Sequence, residues 1–184
     1  MPFAVWITGL PGCGKSTIAK ELAKLLGNVE YLRLDELRKK YIKDPKFTDK
    51  ERDLVYSMFI DDGVARCEEG KNVIFDATGN KLKWRNAARR KIKNIIEAYV
   101  KCPVEVCMAR ESHRSEGLVL ADLYKKALER KKTGKRFKGL GEVVGVDVPY
   151  EENNDAEVVI DSQTIGPKEA AVLILNEIKK KGWA

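Results

Sequence analysis

The residue pattern with the clearest chemistry lies near the start of the chain, where residues 9–17 read G-L-P-G-C-G-K-S-T. This is a complete phosphate-binding loop of the form G-x-x-x-x-G-K-[ST]. An apolar run, residues 3–8, precedes it, and a helix-forming run, residues 18–26, follows it. Glycines let successive backbone N–H groups turn toward one centre at the positive end of a helix, which makes a site for an anion. The sequence therefore predicts that the chain binds a nucleoside triphosphate.

Each position of this loop has an expected role in that site. Lys15 can reach the β- and γ-phosphates, and the hydroxyl of Ser16 can ligate Mg²⁺. The alternative, a glycine-rich turn with a surface lysine, leaves the flanking strand and helix unexplained. The predicted nucleotide-binding residues are Gly9, Leu10, Pro11, Gly12, Cys13, Gly14, Lys15, Ser16 and Thr17.

An acid and a cation follow the second predicted strand. Asp35 and Arg38 are three residues apart, about one helical turn, so both side chains can face one cleft. The carboxylate can accept the proton of an attacking hydroxyl, and the guanidinium can hold an anionic group of the acceptor. Lys15, Asp35 and Arg38 are therefore the predicted catalytic residues. The alternative for Asp35 is a helix N-cap, which does not exclude catalysis.

A second acid ends the third predicted strand, where residues 73–76 read V-I-F-D. This pattern is typical of the second element of a phosphate-binding-loop enzyme, in which Asp76 holds Mg²⁺ through water or together with Ser16. The alternative is that Asp76 only caps the turn that follows. A guanine-reading N-K-x-D motif is absent, which disfavours a switch-type GTPase.

Further cations are candidates for the acceptor site and for a lid that closes over the phosphates and excludes water. The segment 132–142 combines glycines with basic residues and is predicted to be a mobile lid. For the basic run 125–138, a solvated helix face is the alternative. The predicted acceptor and lid residues are Arg38, Arg85, Arg110, Arg114, Lys135 and Arg136.

Apolar, β-branched segments alternate with helical patterns along the chain, which predicts a mostly parallel sheet covered on both faces. The predicted strands are 3–8, 29–34, 72–76, 95–101 and 157–161. The predicted helices are 15–26, 35–41, 49–69, 81–92, 103–110, 118–132 and 167–180. We expect a single α/β domain over residues 1–184, with a lid at about 110–145.

Several residues are predicted to fix the ends and faces of these helices. Gly27 should follow the first helix as its C′ residue, and Pro167 should lie in the first turn of the last helix. On the third helix, Leu54, Val55, Met58 and Phe59 are expected to share the face that packs in the core.

Composition narrows the class of protein further. The 184 residues carry a net charge of +7, and 34% of them are charged, with a single Gln, a pattern that fits a thermophile. The four cysteines form no C-x-x-C pair, so a zinc or redox motif is not expected, and Cys13 is interpreted as a small filler of the loop. No signal peptide or long apolar stretch is found, so we expect a cytoplasmic protein that does not bind membranes.

The C-terminal half resembles the adenylylsulfate (APS) kinase family. Residues 100–110, V-K-C-P-V-E-V-C-M-A-R, are similar to its V-x-C-P-x-E-V-C-x-x-R segment, and residues 123–127, L-Y-K-K-A, match its lid helix. Residues 145–151, G-V-D-V-P-Y-E, and 157–162, E-V-V-I-D-S, match its closing elements. The phosphate loop and residues 46–52, K-F-T-D-K-E-R, also fit.

This resemblance implies a P-loop kinase fold and transfer of the γ-phosphate of ATP, with Mg²⁺, to the 3′-hydroxyl of adenylyl sulfate, giving PAPS. Three stretches depart from the family pattern. The family's L-D-G-D-x-x-R reads L-R-L-D-E-L-R at 32–38, so Arg33 stands in place of its first Asp. The family's two adenine-stacking aromatics are missing at 77–82 and 143–146. Residues 112–121 form an insertion.

Three alternatives remain open at this point. The first is a polynucleotide-kinase-like P-loop kinase. Its motifs resemble D-x-x-R after the second strand, h-h-h-D-x-T after the third and R-x-x-x-R at 110–114. The basic net charge also fits an acceptor that is the 5′-hydroxyl of a nucleic acid. Another hydroxyl-bearing metabolite is a second candidate acceptor. A non-catalytic ATP-binding module is the third alternative. The chain is also a candidate homodimer.

Overall fold

The chain folds as a five-stranded parallel sheet between helices. A computed structural model describes residues 1–42, 48–113 and 122–184. Within these ranges the strands are β1 (Ala4–Gly9), β2 (Glu30–Arg33), β3 (Val73–Asp76), β4 (Ile95–Lys101) and β5 (Val158–Asp161). Their order across the sheet is β2-β3-β1-β4-β5, and all four pairings are parallel. The predicted α/β class with a five-stranded parallel sheet is confirmed.

Helices connect the strands and cover the sheet. They are α1 (Lys15–Leu26), α2 (Leu34–Tyr41), α3 (Asp49–Glu68), α4 (Leu82–Lys91), α5 (Val104–Ser112), α6 (Leu123–Thr133) and α7 (Pro167–Lys180). Helices α1 and α7 begin and end at their predicted residues. The first residues of the predicted helix 118–132, together with Arg114 and the remainder of the insertion up to residue 121, lie outside the described residues.

The two faces of the sheet bury two separate cores, because successive strand residues point to opposite sides. On one face, Val5 and Ile7 pack with residues of α1 and α7. On the other face, Ala4 and Trp6 pack with residues of α2, α3 and α4. The arrangement is therefore a three-layer α/β/α domain, and its parallel strands end together at one edge.

The buried face of α3 differs from the predicted one. Leu54 is 55% exposed, so its expected place in the core is wrong, whereas Val55 and Phe59 are fully buried as predicted. The buried stripe instead runs through Arg52, Val55, Tyr56, Phe59, Ile60 and Gly63. Tyr56 draws the stripe to this side because its ring stacks on Trp84, with centroids 3.9 Å apart.

The two predicted helix ends are confirmed. Gly27 adopts a φ of 71°, and its N–H donates to the carbonyl oxygen of Ala23. Pro167 lies in the first turn of α7, where its missing N–H costs no helical hydrogen bond.

Gly63 provides a test of the packing between α3 and the sheet. A Cβ atom at this position would lie 2.0 Å from Cζ of the buried Phe75 ring. Gly63→Ala should therefore destabilise the fold by about 1–3 kcal/mol through overpacking, although the same change inside an unhindered helix stabilises by about 0.5–1 kcal/mol. Denaturant unfolding measures the difference. In a Phe75→Leu background the added methyl group should cost much less, and an equal cost in both backgrounds would contradict this contact.

Candidate functional site

Glycines shape the loop between β1 and α1. Gly9, Gly12 and Gly14 have φ values of 144°, 83° and 107°, a region that other residues rarely adopt. At Gly12 a Cβ atom would also lie 2.5 Å from the carbonyl oxygen of Cys107 on α5. Only glycine therefore fits at this position, because any side chain would strain the backbone and collide with α5.

The N-terminus of α1 is arranged to bind an anion. Gly14 is its N-cap, no side chain caps the helix, and no acidic residue lies in its first turn. The first N–H groups and the positive end of the helix dipole are therefore left for a ligand. They open onto a cavity of about 260 Å³ lined by Gly12, Gly14, Lys15, Ser16, Thr17 and Arg110.

The ammonium group of Lys15 lies at the base of the loop. Its Nζ donates to the carbonyl oxygens of Gly9 at 3.1 Å and Leu10 at 2.9 Å, and the residue is 8% exposed. The Sγ of Cys13 lies 3.9 Å from the same Nζ. Burial raises the pKa of the Cys13 thiol, which therefore stays protonated, in agreement with its interpretation as a filler.

Asp76 lies at the end of β3, 6% exposed, opposite Ile7 of β1 and Arg33 of β2 in the parallel register. Its Oδ2 accepts a hydrogen bond of 2.8 Å from the hydroxyl of Tyr31 and lies 3.8 Å from Nε of Arg33. The Tyr31 hydroxyl also lies 3.5 Å from the carbonyl oxygen of Ser16. The structure thus brings Asp76 next to the phosphate-binding loop.

Asp35 lies in the first turn of α2, beyond the helix N-cap, which is Arg33. Asp35 does not cap the helix, so that alternative is wrong. Asp35 is exposed to solvent, although protein atoms surround its carboxyl group. Its pKa is raised, first by desolvation and then by the charge of Asp76, while Lys15, Arg38 and Arg33 act in the opposite direction. A carboxylate with a raised pKa is suited to accept a proton.

Arg38 lies one turn along α2, and its Nη1 is 3.9 Å from Oε1 of Glu51 on α3. The hydroxyl of Tyr56 connects this region to the loop after β3, because it accepts a hydrogen bond of 2.9 Å from the N–H of Gly79. Burial raises the pKa of Tyr56 to about 12, with the Gly79 hydrogen bond, Arg38 and Asp35 as further influences. The charges of Lys15, Arg38 and Asp76 all act on the carboxyl group of Asp35, so these residues lie near one another, and their catalytic roles stay predictions.

Arg85 does not belong to the acceptor site, which corrects the prediction. Its guanidinium is 1% exposed and donates to Oε1 of Glu97 at 2.7 Å and to the hydroxyl of Tyr150 at 2.6 Å. It also donates to the carbonyl oxygen of Glu151. Arg85 faces the core side of α4 and ties it to β4 and to the segment around Tyr150, so no acceptor can reach it.

Arg110 lies on the loop side of α5. Its guanidinium donates to the carbonyl oxygen of Ser162 at 2.7 Å, to the Ser162 hydroxyl at 3.1 Å and to the carbonyl oxygen of Cys13 at 3.4 Å. It lines the phosphate cavity, as expected of a cation near the phosphates, but on the side of β5 rather than of Asp35.

The remaining lid cations are not brought to the loop by any contact within the described ranges. Lys135 pairs with Glu129 at 2.9 Å and lies over the ring of Phe137. Arg136 is exposed in the same segment, and Arg114 lies outside the described residues. Their roles in a lid stay predictions.

A second cavity, of about 420 Å³, adjoins the loop and was not predicted from the sequence. The turn between β5 and α7 forms one wall, and α1 forms the other. Its position next to the phosphate cavity suits the base of a nucleotide. The lining residues are Cys13, Gly14, Thr17, Ile18, Arg110 and residues 162–167.

A glycine loop between β1 and α1, a carboxylate at the end of β3 and a parallel sheet together define a nucleotide-binding domain of the P-loop class. The sequence model of the adenylylsulphate kinase family matches residues 1–161. The chain belongs to the adenylylsulfate kinase family.

Individual relatives support this membership. A probable adenylyl-sulfate kinase of Archaeoglobus fulgidus is 33% identical over 166 residues, which cover 88% of this chain and 97% of that protein. The adenylyl-sulfate kinase of Thermodesulfovibrio yellowstonii is 33% identical over 196 residues, which cover 97% and 84%. The fold is similar to that of the APS kinase of Mycobacterium tuberculosis in complex with AMPPNP and APS, with a TM-score of 0.81, 22% identity and coverage of 97% and 98%.

The remaining expectations from the sequence concern a nucleic-acid acceptor, membranes, a homodimer and the cellular location. Neither the family nor these relatives favour the nucleic-acid alternative, and part of the basic run bonds internally. Arg130, for example, donates to the carbonyl oxygens of Leu140 and Gly141 and pairs with Asp147 at 2.6 Å. In the parts of the chain that the structure describes, none of the helices is long and apolar enough to cross a bilayer. A homodimer and a cytoplasmic location stay predictions.

Arg85 provides a test of its corrected role. Arg85→Ala should destabilise the fold by about 3–5 kcal/mol, because the buried Glu97 loses the guanidinium at 2.7 Å and keeps only the amide of Asn153 and the more distant Arg89. Arg90→Ala on the exposed side of the same helix is the matched control and should change stability by about 0.5 kcal/mol or less. Denaturant unfolding compares the two. A stable Arg85→Ala variant with a large rise in acceptor KM would restore the acceptor role.

Asp35 provides a pH-dependent test. Because its pKa is higher in the folded than in the unfolded chain, the ionised carboxylate costs stability above the folded pKa and costs nothing below the unfolded one. Asp35→Asn should therefore raise Tm at pH 7, and the gain should vanish as the pH falls to about 3, below the ordinary pKa of Asp.

The control for this test is Glu105→Gln, which removes an exposed acid from the first turn of α5 and should not raise Tm at pH 7. A lower Tm for Asp35→Asn at pH 7, or the same gain at both pH values, would show that Asp35 carries no such cost.

Proposed function

We propose that this chain transfers the γ-phosphate of ATP to the 3′-hydroxyl of adenylyl sulfate, which gives PAPS and ADP. One observation carries the proposal: a family match over residues 1–161 coincides with the convergence of Lys15, Asp35 and Asp76 at one edge of the sheet. A phosphoryl-transfer enzyme needs this combination of a cation at the phosphates and a carboxylate near the acceptor hydroxyl.

In this proposal ATP spans the two cavities beside the loop. The triphosphate occupies the cavity at the N-terminus of α1, where backbone N–H groups, Lys15 and Arg110 supply positive charge. The adenine occupies the cavity beside residues 162–167. Arg110 bridges the two cavities through its bonds to Cys13 and Ser162, so it orients the nucleotide.

Asp35 acts on the acceptor hydroxyl. Its carboxylate orients the 3′-hydroxyl toward the γ-phosphate and accepts its proton as the new O–P bond forms. The raised pKa of Asp35 makes it a stronger base than an ordinary aspartate. Lys15 neutralises the negative charge on the transferred phosphoryl group and on the leaving ADP.

The residues present also fit a Mg²⁺ ion, with Ser16 and Asp76 as its protein ligands. Mg²⁺ is commonly held by one or two carboxylates together with substrate phosphates and water. Asp76 is buried beside the loop, and within the described ranges no donor contacts its Oδ1, which leaves that oxygen for a metal or its water. When bound, the ion supplies charge neutralisation between the β- and γ-phosphates.

Acceptor recognition is expected to differ from the family pattern. Arg38 can hold the anionic phosphosulfate group, since a guanidinium forms paired hydrogen bonds with such oxyanions. Val143 stands where the family has a stacking aromatic, but it is 2% exposed and packs with the core around α1. A phenyl ring introduced there would meet core side chains, so it offers no simple way to restore adenine stacking.

The domain organisation belongs to the same proposal. We take residues 1–184 as one kinase domain whose lid includes the irregular segment 134–142. That segment is held at its C-terminal end by two buried or half-buried arginines. Arg52 of α3 donates to the carbonyl and carboxylate oxygens of Glu142, and Arg130 of α6 donates to the carbonyl oxygens of Leu140 and Gly141.

The proposal predicts which acceptors support ADP release. With Mg²⁺ and ATP, adenylyl sulfate should stimulate ADP release, whereas a 5′-hydroxyl oligonucleotide should not. Lys15→Ala should lower kcat by about 10²-fold or more, because it removes charge that stabilises the transition state. Asp35→Asn should lower kcat by about 10²-fold or more with ATP affinity retained, because only the positioned base is lost.

Lys20→Ala is the matched control, because Lys20 is exposed on the same helix as Lys15. It should leave kcat and KM unchanged. Stimulation by the oligonucleotide and none by adenylyl sulfate would reject the proposal, and so would a Lys15→Ala enzyme as active as the parent.

A further inference from the structure

A cross-strand charge pair lies at the carboxyl end of the sheet. Arg33, the last residue of β2, is the register partner of Asp76, the last residue of β3. Nε of Arg33 lies 3.8 Å from Oδ2 of Asp76. The pairing is fixed by strand geometry, because parallel register sets these two residues side by side.

Both ends of the Arg33 guanidinium face carboxylates. Nη1 donates to Oε1 of Glu36 in the first turn of α2, while Nε faces Asp76. Nε is buried and has no hydrogen-bond partner within the described structure. The side chain as a whole is 17% exposed. The guanidinium is thus directed toward acids of the protein and away from bulk solvent.

Asp76 is held from two sides. Tyr31 donates to Oδ2 at 2.8 Å, and Arg33 approaches the same oxygen, so both contacts fix one edge of the carboxylate. Desolvation and the neighbouring Asp76 raise the pKa of Tyr31, which keeps its hydroxyl protonated and able to donate. Within the described ranges, no hydrogen-bond donor contacts the other oxygen, Oδ1.

We propose that Arg33 is a positioning residue for phosphoryl transfer, which holds the Asp76 carboxylate in place and lowers the affinity of this site for a divalent cation. The inference rests on the proposed function, in which Asp76 and Ser16 hold Mg²⁺. A fixed positive charge beside the carboxylate attracts its Oδ2 edge and repels a divalent ion through space.

The competing role for Arg33 is a direct contact with nucleotide phosphates. The geometry disfavours it, because Nη1 is engaged by Glu36 and Nε is buried against Asp76. The two roles predict opposite effects on binding. Loss of a counter-ion of Asp76 strengthens metal binding, whereas loss of a phosphate ligand weakens nucleotide binding.

Metal binding to the enzyme–ADP complex separates these roles. We would titrate Mn²⁺ into parent and Arg33→Gln enzymes saturated with ADP and follow free Mn²⁺ by electron paramagnetic resonance. The dissociation constant of Mn²⁺ should fall by about tenfold in Arg33→Gln, because one unit of repelling charge is removed. Affinity for ADP measured in EDTA should stay within about twofold of the parent.

Two further variants serve as controls. Arg33→Lys keeps the charge and should bind Mn²⁺ as the parent does. Arg66→Gln removes an equal charge at the opposite end of β2, where Arg66 pairs with Glu30, and should leave Mn²⁺ affinity unchanged. A merely structural role for Arg33 would lower Tm without strengthening metal binding.

Unchanged or weaker Mn²⁺ binding in Arg33→Gln would overturn the inference. A fivefold or greater loss of ADP affinity in EDTA would also overturn it and would assign Arg33 to the phosphates. If the parent enzyme binds no ADP, the proposed function fails and this inference fails with it, a result distinct from any difference between parent and variants.

Discussion

The parallel register of β2, β3 and β1 is the constraint on which the site depends. These three strands end at one edge of the sheet. The parallel register alone therefore places Arg33, Asp76 and the loop that begins at Gly9 side by side. Two cores, one on each face, hold the strands in that register. A slip of one residue would move Asp76 away from the loop and would turn every strand side chain to the other face.

A balance of charge at this edge sets the chemistry. Two carboxylates, Asp35 and Asp76, lie close enough for one to raise the pKa of the other, while Lys15, Arg38 and Arg33 compensate only in part. An uncompensated acid is unfavourable for folding but useful for proton transfer.

Much of this arrangement could be predicted from the sequence, because local patterns determine it. The alternation of strands and helices, the glycine loop and the h-h-h-D strand each depend on neighbouring residues. The failures concern contacts between distant segments. The sequence does not reveal the burial of Arg85, because its partners Glu97 and Tyr150 are 12 and 65 positions away. The buried face of α3 is also hidden from the local sequence, because the stacking of Tyr56 on Trp84 joins two separate helices. Helical spacing alone therefore predicts Leu54 in the core.

The most direct measurement of the account is a crystal structure of the enzyme with AMPPNP, Mg²⁺ and adenylyl sulfate. We expect the γ-phosphate beside Lys15 and the acceptor 3′-oxygen within about 3 Å of the Asp35 carboxylate, the distance at which a base accepts a proton. A complex in which the 3′-oxygen lies away from Asp35, or in which Asp35 ligates the metal in place of Asp76, would contradict the account.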